Sequence, residues 1–570
     1  MRCKSAIGFS RVLALVGLSL LVPLSGQMCS PGPGPGATVC IELSDDIDTA
    51  TTLSAACYRV TSNIDVNAPL TINPGVTLEF DAGRSMSVNS GGSLRAVGTT
   101  ENPIVFTGRE AVPGYWGGLT IYYSNSSNNR LEHVTIEYGG SSSGANLTTT
   151  GTATEPPRLA IVNCTLRNSA GYGLYLDGDS VITDFSTNTL TGNALGAASV
   201  AQNVIGVLDA ASTYSGNTRD VVNVHGGSVS SAQTWQAIDA DYLFDSSDLD
   251  VDADLIISAG ATLVFGQARA AWINENGSLK AIGTSTAPIA FTAKEATAGY
   301  WKGVEYYYSN SVNNRLEHVT IEYGGSPSGA NLTTTGTASV PPRLAIVNCT
   351  LRNSAGYGLY LDGDSVITDF STNTLTGNAL GAASVAQDVI GVLDAASTYS
   401  GNTRDVVNVR GGSVSSAQTW QAIDADYLFD SDDLIVDADL TISAGATLVF
   451  GQGRYASVNE NGSLKAIGTS TAPIIFTGKQ ATAGYWECLL YYYTTSVNNV
   501  LEYVRIEYGG GSNSGNLRLS GNARATARNC TFAHSGGYGV YVDRNATINN
   551  DVETANQFSD NALGNVFISP

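Results

Sequence analysis

Between Asn125 and Leu249 the chain runs through a sequence that it repeats between Asn310 and Leu434. Over these 125 positions seven differ: Ser127/Val312, Ser142/Pro327, Thr154/Ser339, Glu155/Val340, Asn203/Asp388, His225/Arg410 and Ser247/Asp432. The offset is constant, because Trp116 recurs as Trp301 and as Trp486, a step of 185 each time (301 − 116 and 486 − 301). Copies of one unit therefore fill most of the chain, and whatever surface one copy builds is built again. Self-similarity at this scale restricts the fold to stacked or arrayed architectures, and it favours multivalent binding or a scaffold over a single catalytic cleft. The repeat divides the chain into an export signal over 1–28, a Pro/Gly linker and N-terminal cap over 29–49, and three units over 50–234, 235–419 and 420–570, the last one truncated.

Inside each unit a shorter period appears. Leu166, Leu190 and Tyr214 are evenly spaced (190 − 166 = 24 and 214 − 190 = 24), as are Leu174, Ala198 and Val222, and Leu176, Val200 and Val224. Short alternating runs such as Val134-Thr-Ile136 and Leu78-Glu-Phe80 point one face inward, and Gly139-Gly140, Asp177-Gly178 and Asn276-Gly277 turn the chain after or between such runs. Inward residues that return at the same phase, with a period between 24 and 30, stack as a parallel β-solenoid and not as a meander sandwich. Asn193 and Asn217, separated by the same step, then lie one above the other at a bend, where stacked amides hydrogen-bond along the axis.

The phrases Leu70-Thr-Ile-Asn-Pro-Gly-Val-Thr-Leu-Glu-Phe80, Gly92-Ser-Leu-Arg-Ala-Val-Gly98, Pro103-Ile-Val-Phe-Thr107, Gly114-Tyr-Trp-Gly-Gly118 and Leu131-Glu-His-Val-Thr-Ile-Glu-Tyr-Gly-Gly140 recur with substitutions from Leu255 and from Leu440. In these phrases the chain resembles the right-handed parallel β-helix proteins of bacterial surfaces, relatives in fold of the pectate lyases. The resemblance covers nearly everything after about Ala50. It implies an all-β, right-handed parallel β-helix, but it does not select a function, because the fold hosts lyases, hydrolases, epimerases and adhesins. The hydrolase pattern of paired aspartates followed by Gly-His-Gly is missing, and no catalytic residue is assigned.

Met1 to about Gly26 carries Arg2, Lys4 and Arg11 ahead of an apolar stretch through Leu24, the layout of an export signal. The mature protein is expected outside the cytoplasm, extracellular or on an outer surface, with no membrane span. Cys29, ahead of the Pro/Gly linker, sits where a lipid-anchored cysteine would sit, although Gln27-Met28 precedes it in place of small residues. Cys40 and Cys57 are a candidate disulfide, suited to an oxidising compartment. Cys164, Cys349 and Cys530 stand beside apolar positions and read as small buried residues. With 28 basic against 50 acidic residues the net charge is −22, which argues against nucleic acid or anionic lipid as a partner.

Candidate ligand contacts come from two patterns. Glu132, Glu137 and Tyr138 recur as Glu317, Glu322 and Tyr323, and strand alternation directs Glu137 to solvent as part of a carboxylate row. Tyr122 and Tyr307 follow each Gly-Tyr-Trp and face outward, where an aromatic ring stacks on a sugar. These residues suit a binding or structural role in adhesion or carbohydrate contact, with a polysaccharide or a cell-surface component as partner. The alternative is a polysaccharide-active lyase, hydrolase or epimerase that takes its acid or base from the Glu132/Glu137 row. His225 is read as a surface or turn residue without catalytic work, since Arg410 replaces it in the second unit. No cofactor is assigned; calcium is the one candidate, at the aspartate-rich stretch Asp239 to Asp254.

The last unit ends near Gln557-Phe-Ser-Asp-Asn-Ala-Leu-Gly564, and its last coil is expected to be either the least protected part of the fold or the site of end-to-end self-association. Mass spectrometry of exported protein tests the anchor: a diacylglyceryl mass on an N-terminal Cys29 is the expected result for a lipoprotein, and an unmodified chain starting elsewhere removes it.

Overall fold

A computed structural model describes residues 39–140, 144–325 and 329–570. Residues 1–28, read above as an export signal, and Cys29 with the linker up to residue 38 lie outside the described residues. The chain winds into a right-handed parallel β-solenoid of about 21 turns, so the stack is about 100 Å long at the usual strand spacing. Short strands pair in parallel with the coil above and below. Ile136 lies on Leu166 (166 − 136 = 30), and Leu166 lies on Leu190 (190 − 166 = 24). Other coils are shorter than the expected period: Val222 meets Tyr242 (242 − 222 = 20), and there one of the three strands is reduced to an isolated bridge at Val229.

Three sheets wrap each coil. In the first unit a seven-stranded sheet runs from Ile41–Leu43 to Thr189–Thr191, a six-stranded sheet from Thr51–Leu53 to Val181–Ser186, and a 13-stranded sheet starts at Ile64–Val66. Alternation fills the interior with one side chain in two. Trp116 is fully buried and stacks on Phe80 at 4.1 Å, and Trp301 on Phe265 and Trp486 on Phe450 repeat the pair at 4.2 and 4.4 Å. The asparagine column forms as the spacing requires. Asn193 Nδ2 donates to Asn217 Oδ1 at 3.0 Å and to Leu166 O at 3.1 Å, while its own Oδ1 accepts from Ser169 N at 3.0 Å.

The sequence unit is not a whole number of coils. Cys57–Val60 belongs to the seven-stranded sheet, but its counterpart Asp241–Phe244 lies in the 13-stranded sheet, and Asp426–Phe429 lies in a second 13-stranded sheet running from Leu249–Val251 to Gln557–Ser559. From Ile64–Val66 to Asp241–Phe244 the first 13-stranded sheet advances by seven strands. One unit is thus seven coils and one sheet.

Past Val181–Ser186, where the six-stranded sheet ends, the 3₁₀ helix Gln202–Val207 stands between two strands of the 13-stranded sheet, Gly196–Ala201 and Val221–His225. Gln202 is fully buried there. Its amide donates to Gly227 O at 3.0 Å and Asp248 O at 2.8 Å, and its carbonyl accepts from Asp250 N at 2.9 Å, so one side chain ties three coils together. Gln387 repeats the contacts to Asp433 O and Ile435 N.

Gln202→Ala leaves a buried N–H and two carbonyls without partners. A loss of about 2–4 kcal/mol is expected, read as a lower urea midpoint for the first two units, whereas Gln267→Ala on an exposed turn leaves the midpoint unchanged.

Candidate functional site

Each unit ends one of its outward strands in a pair of tyrosines. In Gly118–Tyr122 the residues Leu119 and Ile121 face the core, so Tyr122 faces out and is 46% exposed. Tyr123 follows with a left-handed φ of 54°, donating its N–H to Thr150 O at 2.8 Å. That backbone turn sets the two rings edge to face at 4.5 Å. Tyr307/Tyr308 and Tyr492/Tyr493 repeat the arrangement at 4.6 Å, with φ of 58° and 57° at the second tyrosine. A non-glycine residue in this conformation costs energy, and the chain holds it at the same place three times.

In the first unit the tyrosines border a groove of about 630 Å³ whose other walls include Asp65, Ser87, Asn89 and Glu155. Asp65 and Glu155 are exposed. A ring face beside two carboxylates suits a polyhydroxylated ligand, which stacks its C–H face on the tyrosine and donates its hydroxyls to the carboxylates. Only the first unit has both acids: Val340 stands in place of Glu155 in the second, and Ile435 in place of Asp65 in the third.

The other sequence candidates are not assembled with these tyrosines. His133 takes a left-handed φ of 49° at the bend between Arg130–Glu132 and Val134–Glu137, so Glu132 and Glu137 fall in different sheets and do not form one row. Glu132 pairs with Arg130 at 2.8 Å, and Glu317 with Arg315 at 2.9 Å. The solvent-facing position expected for Glu137 is not what the structure shows. Glu137 is buried, its carboxylate held by Arg167 Nε at 2.6 Å and Thr107 Oγ1 at 3.2 Å, and its carbonyl accepts from Trp116 Nε1 at 2.8 Å. Glu322 repeats the pairing with Arg352 at 2.6 Å and Thr292 at 2.9 Å. Arg167 comes from the next coil, and strand alternation within Val134–Glu137 carries no sign of it. Tyr138 and Tyr323 are half-buried bend residues with φ of 59° and 61°.

His225 is neither a turn residue nor on the open surface. It lies in Val221–His225 with its ring stacked on Tyr175 at 4.7 Å and Nδ1 3.0 Å from Ser199 Oγ. Arg410 takes the same place over Tyr360, its guanidinium carbon 3.7 Å from the ring centre. Cys40 and Cys57 are joined as a disulfide that ties the N-terminal coil, with Cα atoms 4.5 Å apart. The Cys164 and Cys349 thiols are buried, and burial pushes their pKa up to about 12, which removes them from thiolate chemistry. The aspartates of the stretch 239–254 are engaged singly: Asp239 with Tyr214 N, Asp245 with Lys294, and Asp252 with Asn274. Among the described residues no three of them converge on one point.

Comparison with known proteins agrees with this architecture. Residues 45–153 match the family model described as the pectate-lyase like beta helix domain. Neither the curated proteins nor the solved structures contain a match.

Burial lowers the His225 imidazole below its ordinary 6.5. The fold therefore favours the neutral ring: its contribution to stability is complete above the ordinary value and is withdrawn as the pH falls from there toward the folded value. Histidine-selective NMR of the four imidazoles should show this one titrating at lower pH than a free imidazole, and His225→Phe should remove that component of acid sensitivity.

Proposed function

We propose that this protein is an exported β-solenoid that contacts carbohydrate through outward tyrosines, in a binding or structural role. The observation that carries the reading is the edge-to-face tyrosine pair, with its left-handed second residue, kept in all three units. The outward ring of each pair, Tyr122, Tyr307 or Tyr492, is nearly half exposed and so is open to stack on a ligand. The match to a pectate-lyase like domain supports a carbohydrate-related role at the coarse level, and the charged-then-apolar N-terminus supports export. Glu132 and Glu137 are ion-paired in different sheets, so no observation favours the row as an acid–base pair.

Purified protein assayed against neutral and acidic polysaccharides, for binding and for chain cleavage together, tests the reading. Binding without new reducing ends or unsaturated products is expected. Replacing Tyr122, Tyr307 and Tyr492 together by alanine should weaken it at least about tenfold, as loss of a stacking contact worth about 1.5 kcal/mol implies, with the melting temperature little changed.

A further inference from the structure

One outward column of the first 13-stranded sheet and its counterpart in the second differ in a concerted way. Strand pairing stacks Asp65, Ser87, Thr120, Thr148, Tyr175 and Ser199 into one column in the first unit. The same column in the second unit reads Asp250, Trp272, Glu305, Thr333, Tyr360 and Ser384. The lower rungs are identical, as in most of the repeated stretch. The two upper changes, Ser87 to Trp272 and Thr120 to Glu305, are joined by Gly117 to Lys302. Trp272 is far in sequence from the other two, yet all three new side chains line one groove of about 440 Å³, together with Thr333, Thr335 and Tyr360. The first and second units differ at many positions over residues 50–124, and these three of the changes meet in one groove.

The groove has the parts of a ligand site. Trp272 is half-buried, whereas Trp116, Trp235, Trp301, Trp420 and Trp486 are all buried in the core. Glu305 is half-buried with Oε1 accepting from Thr335 Oγ1 at 2.8 Å, which fixes its orientation. Arg410 covers one side of Tyr360 and holds the ring in place. Trp272 and Tyr360 are three rungs apart, about 14 Å, which suits a short oligosaccharide lying along the axis better than a single ring. The third unit has Ser457, Glu487 and Leu490 at the three positions and cannot build the same surface.

We propose that the second unit holds a saccharide site of its own, in which Trp272 and Tyr360 stack the sugar rings of a neutral oligosaccharide and Glu305 and Lys302 bind its hydroxyls. The proposal rests on the carbohydrate reading above and makes it asymmetric: one unit of the three bears this groove. A neutral ligand follows from the lining. The carboxylate opposes a polyanion, as does a protein of net charge −22, and the lysine opposes a polycation, whereas hydroxyls take both an acceptor and a donor.

Because Trp272 is the tryptophan left within reach of solvent, iodide quenching of tryptophan fluorescence reports the site directly. Cellohexaose, mannohexaose and xylohexaose serve as neutral probes, with hexagalacturonate and chitosan hexamer as charged ones. At least one neutral probe is expected to protect the quenchable fraction. Trp272→Ala should abolish that fraction and weaken binding at least tenfold. The triple change Trp272→Ser, Lys302→Gly and Glu305→Thr, which restores residues the first unit already folds with, should weaken it equally.

Protection only by a charged probe overturns the proposal, as does binding that survives both variants. If saccharide binds and is lost on changing the exposed tyrosines but not Trp272, this site falls and the carbohydrate reading stands. If no saccharide binds the unaltered protein, both fall.

Discussion

Each coil closes because single residues turn the chain through a left-handed conformation, and everything else in the solenoid is laid out between those bends. His133, Asn163 and Thr187 occupy one such column, with φ of 49°, 51° and 53°, and Tyr138 and Asn168 begin another. Side chains other than glycine resist this region, so each bend costs something on the order of 1 kcal/mol or more. The cost is offset by the hydrogen bonds that the bends align. His133 N–H reaches Val162 O, Asn163 N–H reaches Ser186 O, and the buried Asn188 and Asn193 amides bridge neighbouring backbones where the ladder is interrupted. A bend of one residue also decides which side chains meet. It places Glu132 and Glu137, close in sequence, on separate sheets, and it brings Arg167 onto Glu137 from the next coil.

What was legible in the sequence follows from that geometry. The short period is visible because coils of equal length return the same residue type to the same rung, and Asn193 over Asn217 could be placed from spacing alone. The outward position of Tyr122 was legible too, since alternation from Leu119 and Ile121 fixes it. Side-chain contacts between coils were not. Glu137 was expected in solvent because its own strand says so, while its burial comes from Arg167 and Thr107, each one coil away. The 3₁₀ turn at Gln202 was equally hidden, for a buried glutamine that spans three coils leaves no periodic trace. His225 was misplaced because its partner Tyr175 lies two coils back, in the neighbouring column that runs through Ser199 to Asn223.

Functional reading of a repeated chain has to separate what the repeat maintains from what it varies. In the interior the Phe80–Trp116 stack and its counterparts are maintained, while Met86 and Ile121 give way to Ala271 and Tyr306. The tyrosine pairs are maintained on the outside. Variation also reaches the outward rungs, where a serine, a tryptophan and a serine again stand at Ser87, Trp272 and Ser457. A solenoid permits this because each outward side chain touches only its neighbours in the column and on the adjoining coils, so a surface can be rewritten without disturbing the core.

Seven coils and one sheet per unit make the duplication behave as a screw thread and not as a ruler. Had the unit been a whole number of coils, every copy would repeat its equivalent surface along a single edge, and copy number would set only length. With the extra sheet, Gly118–Tyr122, Val304–Tyr307 and Leu489–Tyr492 belong to three different sheets. No straight line along the rod passes through two of the tyrosine pairs. Gain or loss of a copy therefore changes the compass bearing of every equivalent surface beyond the joint, and a gene that grows by such duplications acquires new directions of contact along with new length.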